Sequence, residues 1–212
     1  MPESSTPPEQ QSGHSRAGAH AARAQVIHAQ LVASGHRPFS VACANFVLHV
    51  LIYASGLALL GPWPGLWLIW CAGAMLVWAS CVDVQRFEIP DWATVGLTGA
   101  ALYWIATDPG ILWLEHAIGA IFWAGSFEII RRVFIWRSGF DGLGFGDVKL
   151  MVPLALLCGP VGSAQMVFLA ATAAVAVMLS VAVLRRQAVA NIALPFGTFL
   201  CFATWIVWIS GL

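Results

Sequence analysis

Two aspartates in an otherwise apolar chain stand where carboxylate chemistry could be done. Asp83 closes one hydrophobic stretch, in Cys81-Val82-Asp83-Val84-Gln85-Arg86, and Asp147 opens another, in Gly144-Phe145-Gly146-Asp147-Val148-Lys149. Two carboxyl groups brought together cannot both ionise cheaply, so one keeps its proton while the other is charged. That split suits hydrolysis: the ionised member activates water, and the protonated one polarises a carbonyl and later protonates a leaving amine. Taken singly, each aspartate is also explained as a helix N-cap. Asp91, directly after Pro90, is expected to be such a cap.

The neighbours sharpen the distinction. Gly144 and Gly146 lack Cβ atoms, which lets the backbone turn and another chain come close, so an extended substrate strand is expected beside Asp147. Asp147 begins a helix, whose dipole favours the ionised form there. Lys149 is expected to anchor at the interface or to help hold the Asp147 charge. Glu128 lies three and four residues before Arg131 and Arg132, the spacing of a local ion pair. Asp108 and Glu115 are expected at the opposite face. The tail histidines (His14, His20, His28, His36) and five scattered cysteines show no metal-ligand spacing. Neither a metal nor another cofactor is expected.

Membrane helices must position these residues. The 212-residue chain is 59% hydrophobic and 9% charged, against roughly a quarter charged in soluble domains. Eleven Trp and twenty Gly suit interfacial belts and close helix contact. Zero formal net charge gives no reason to expect a nucleic-acid partner. Apolar segments at 41–60, 64–82, 92–106, 111–130, 148–159, 163–184 and 193–211 predict an all-α, polytopic transmembrane bundle of six or seven spans, the shorter count applying if 148–159 is re-entrant. Residues 1–38 form a polar tail, expected to be largely disordered or a short surface helix, and 39–212 the membrane domain.

The basic residues then set the orientation. Arg16, Arg23 and Arg37 lie in the tail. Arg86, Arg131, Arg132, Arg137, Lys149, Arg185 and Arg186 lie at the connections after the second, fourth and sixth spans. The intervening connections have none, which predicts a cytoplasmic N-terminus and a C-terminus on the other side. Asp83 and Asp147 thereby share the cytoplasmic face.

At this point the motifs themselves become specific. Gly144-Phe145-Gly146-Asp147-Val148-Lys149-Leu150 resembles the G-x-G-D-x-K-L signature of the prepilin peptidase (type IV leader peptidase) family. Asp83, followed by Ile89-Pro90-Asp91, is similar to that family's first aspartate motif, and Pro195-Phe196-Gly197-Thr198-Phe199-Leu200 to its P-F-G-P-F-L segment, with Thr198 in place of a proline. Asp141 stands where the family commonly has an acidic residue.

The resemblance implies Asp83 and Asp147 as a catalytic pair, with Gly144, Gly146, Lys149 and Pro90 shaping the site. It implies removal of the short basic leader of a prepilin or pseudopilin at the cytoplasmic face, in type IV pilus assembly or protein secretion. It implies a bacterial inner-membrane protein among lipid, with the pilin as partner. The short Gly61-Pro62-Trp63 link between the first two spans further suggests a minimal form without the cytosolic methylation domain. Two rivals stand beside it. A signal-peptide-peptidase-like protease would usually have Tyr where Val82 precedes Asp83. A transporter using buried acids would favour midplane aspartates and an inverted repeat.

Overall fold

The computed structural model describes residues 39–60, 65–139, 141–186, 188 and 192–211. The expected tail over 1–38 and the Gly61-Pro62-Trp63 link lie outside the described residues. Among the described residues there are six helices and no strand: α1 (Phe39–Leu60), α2 (Leu66–Arg86), α3 (Asp91–Thr107), α4 (Trp113–Ser138), α5 (Phe145–Arg185) and α6 (Phe196–Ser210).

Local chemistry explains where these helices stop. α2 ends at Phe87, which takes a left-handed φ of 56° while its N–H donates to the Asp83 carbonyl at 2.9 Å. α4 ends at Gly139, φ 76°, the residue type that enters this region without a steric cost. Pro90 and Pro195 stand extended immediately before α3 and α6, with φ already fixed by the ring.

Many helix contacts are made by small and medium side chains, among them Ala72, Ala79, Ala93, Ala101, Leu97, Leu150 and Leu154, all fully buried, with Trp205 and Trp208 buried among them. Large apolar side chains also cover the outside; Ile121, Phe168 and Trp136 are 74%, 71% and 84% exposed. A surface of this kind is stable against lipid and unfavourable against water. Helices α2 and α5 are each long and apolar enough to cross a bilayer.

The segments expected at 148–159 and 163–184 both lie in α5, whose helical dihedrals break at Gly159 (φ 68°, ψ 179°). That region is open essentially to glycine alone, and Pro160 follows it. Here the chain turns back. Asp147 lies at the start of α6, beside Gly197, whereas Gly162 approaches Val207 and Met166 meets Thr204. Residues 145–158 therefore run along α6, and the chain beyond Pro160 starts back beside it.

The turn leaves a carbonyl to satisfy. In an uninterrupted helix Leu156 O would accept from the N–H of residue 160, which proline lacks. His116 of α4 supplies the donor instead: its Nδ1 lies 2.7 Å from Leu156 O, and a carbonyl can only accept, so the hydrogen is on Nδ1. Ser163 Oγ donates to Gly159 O at 2.6 Å. Replacing His116 by Leu should lower stability by about 1–3 kcal/mol, the cost of a buried acceptor left unpaired. Thermal unfolding in detergent measures this, and an unchanged midpoint would mean the carbonyl finds another donor.

Candidate active site

Asp83 is carried inward by the phase of α2. Ile69, Ala72, Leu76, Ala79 and Asp83 follow one another at three- and four-residue steps, and all are buried. This is the stripe that one face of a helix presents to its neighbours. Asp83 is thus the last residue of a core stripe, 4% exposed. Its Oδ2 accepts from the backbone N–H of Thr198 at 2.8 Å, and Thr198 Oγ1 lies 3.2 Å from the same oxygen.

Asp147 comes from the first turn of α5, where its N–H donates to Gly144 O at 3.0 Å. It is 8% exposed. Gly144 is the residue before the helix, and a methyl group there would meet Asp147 Oδ2 at 3.8 Å, an ordinary contact. Gly146 is crowded: a Cβ would fall 2.9 Å from Ile89 Cγ1 and 3.3 Å from Ile89 N. At Gly146 this chain's own link between α2 and α3 makes a close approach.

The two carboxyl groups converge on the first turn of α6. A methyl group added at Gly197 would lie 3.0 Å from Asp83 Oδ2, 3.1 Å from Asp147 Oδ1 and 2.7 Å from Ile89 Cδ1. The two oxygens can be no farther apart than the sum of their distances to that point.

Other residues fall differently. Pro90, itself extended, follows Ile89 and sets the start of α3. Lys149 turns to Asp91, tying α5 to α3 rather than holding charge at Asp147. Asp91 is the first residue of α3 and makes no side-chain cap, because Pro90 occupies the capping position. With Asp91 76% exposed, the pair contributes under about 1 kcal/mol. Glu128 pairs with Arg131 (3.3 Å) and Arg132 (2.6 Å) as its spacing requires. Asp141 accepts from Arg131 Nε at 2.9 Å, closing the loop between α4 and α5. Asp108 accepts from Gly110 N–H at 2.9 Å, at the opposite end of α3 from Asp91.

Ile89, Gly197 and Thr198 also form the site, although the sequence assigned them no role. The signal was their place inside the two flanking motifs.

This arrangement defines a class: among the described residues, a protein built of helices alone, two of them long and apolar enough to cross a membrane, with a buried carboxyl pair where three helix ends meet. Residues 70–179 match the model of the Type IV leader peptidase family, and the chain belongs to that family. It is 33% identical over 147 residues to a "Prepilin leader peptidase/N-methyltransferase" of Burkholderia pseudomallei, covering 69% of this chain and 47% of the relative. The protein of the same name from Pseudomonas aeruginosa is 33% identical over 153 residues, covering 67% and 51%. That from Klebsiella pneumoniae is 32% identical over 131 residues, covering 62% and 54%. The chain thus spans about half the length of the curated relatives it matches. No solved structure matches it significantly.

Proposed function

We propose that this chain is a membrane-embedded aspartyl endopeptidase that removes the short basic leader of a prepilin or pseudopilin, with Asp83 and Asp147 as its catalytic pair. The observation that carries the reading is the convergence of Asp83 Oδ2 and Asp147 Oδ1 on one point beside Gly197. Family membership and the relatives' printed name supply the substrate class.

The chemistry needs one water. The ionised carboxylate takes a proton from it as the water oxygen bonds to the scissile carbonyl carbon. The protonated partner gives its proton to the carbonyl oxygen. The leaving amine thus draws its proton from the carboxyl that took it from water, rather than from the partner first expected to supply it: when the C–N bond breaks, the first carboxyl passes its proton to the amine nitrogen, and a hydroxyl proton returns to the second. The pair ends as it began.

Seven crossings of the bacterial inner membrane fit this reading. The direction reversal at Gly159 supports them, since it returns Arg185 and Arg186 toward the face that carries Arg86 and Lys149. The first limb, residues 145–158, is about 20 Å long and crosses only where the bilayer is thin or the limb is lined by protein. Basic residues collect on the cytoplasmic side, so the aspartates face the cytoplasm, where a pilin's leader waits. The membrane domain is residues 39–212.

The test is direct. Purified protein in proteoliposomes is given a full-length prepilin, and mass spectrometry reads the new N-terminus. Loss of the leader at one bond is expected. An intact substrate beside folded protein overturns the proposal.

A further inference from the structure

Thr198 bonds to Asp83 in a way that goes beyond packing. It is the third residue of α6, among the four whose N–H groups have no partner within their own helix. Its N–H is spent on Asp83 Oδ2 at 2.8 Å. Its hydroxyl has one hydrogen and two acceptors in reach, Asp83 Oδ2 at 3.2 Å and the Ser80 carbonyl at 3.2 Å. Thr198 itself is 6% exposed.

We propose that Thr198 is the positioning residue of Asp83, holding its carboxyl oriented toward Asp147 and giving it a matched partner in both protonation states. The two donors favour Asp83 as the ionised member, in place of Asp147, which the helix dipole alone favoured: the N–H and the hydroxyl both donate to Asp83 Oδ2. When Asp83 takes a proton from water, the hydroxyl turns its hydrogen to Ser80 O and offers a lone pair to the carboxyl. No bond is made or broken at Thr198 itself. This inference rests on the catalytic pair proposed above.

Among the described residues, these other ionisable groups stand on the elements around Asp83. Asp147 faces it from α5, and Cys201 lies one turn beyond Thr198 on α6. Cys81 and Arg86 share α2 with Asp83. From α1, His49 packs on Phe202 and Tyr53 donates to the Cys201 carbonyl. Asp141 is tied to Arg131, and Asp91 to Lys149. Thiols and phenols titrate well above carboxylates, so a shift of the acidic limb that follows the Thr198 hydroxyl reports on the carboxyl it touches.

The experiment compares Thr198→Val, Thr198→Ser and Thr198→Ala on prepilin cleavage across pH, with Asp83→Asn and Asp147→Asn beside them. Val keeps the N–H and the shape but loses the hydroxyl. Its kcat should fall roughly 10- to 100-fold, the factor that a hydrogen bond to a charged group carries, with KM unchanged. The acidic limb should move to higher pH, because the ionised form has lost a donor. Ser should restore both rate and limb. Ala should reproduce Val, and keeps the test alive if Val fails to fold. Wild-type kcat and pH profile in folded Val or Ala overturns the proposal. So does loss in Ser equal to that in Val. Activity retained in both Asn variants would instead overturn the catalytic pair.

Discussion

Asp83→Asn and Asp147→Asn are each expected to lower prepilin cleavage by at least roughly 10³-fold, within the range that a positioned acid or base supplies. Asn matches the carboxyl in size and keeps an oxygen for the Thr198 N–H, so the bundle has little reason to unfold around it. What it cannot do is take a proton from water or give one to an amine. Because the two groups pass protons through one substrate, the losses should not add: the double variant should be about as inactive as either single one. Single-turnover rates in detergent, with thermal unfolding as a fold control, measure this. A single variant within tenfold of wild type would remove its aspartate from the mechanism.

Gly197→Ala should be nearly as damaging, for a different reason. The added methyl group arrives 3.0 and 3.1 Å from the two carboxyl oxygens and 2.7 Å from Ile89 Cδ1. Ile89 can shift its terminal carbon, but the carboxyl groups can yield only by leaving the point where they meet. A displacement approaching 1 Å costs about 10²-fold in rate, while overpacking of this kind costs about 1–3 kcal/mol of stability. The expected result is a folded protein with kcat down roughly 100-fold. Gly99→Ala is the control, since nothing lies within 4 Å of its added methyl group. Equal activity in the two variants would show that the aspartates have room the structure does not give them.

Much of this was readable in the residues themselves. Asp83 continues the stripe of Ile69, Ala72, Leu76 and Ala79, so helical phase alone sends it inward. Glu128 and its arginines pair by spacing along one helix. Gly159-Pro160 marks the break expected between two apolar segments, because neither residue continues a helix comfortably. Each of these is a local rule, decided within a few turns of one helix.

Lys149 and Gly146 show where local rules stop. Both sit within two residues of Asp147, Lys149 expected to anchor at the interface or hold the Asp147 charge and Gly146 to let a substrate strand come close. Lys149 instead finds Asp91 across the fold, and Gly146 is filled by Ile89. Thr198 shows the same limit from the other side. It stood out only as a departure from a proline, yet a proline there would have neither the N–H nor the hydroxyl that Asp83 accepts.

The sequence by itself determined the apolar helices, their breaks, and which two aspartates the flanking glycines and prolines single out. These follow from composition and from periodicities of three and four residues, which act over short range. Only the tertiary structure decided that α2, α5 and α6 meet at one point, with Gly197 as the gap and Thr198 as the donor. The residues concerned are 50 to more than 100 positions apart, and no local propensity specifies which helix ends will touch. Packing of the whole bundle does.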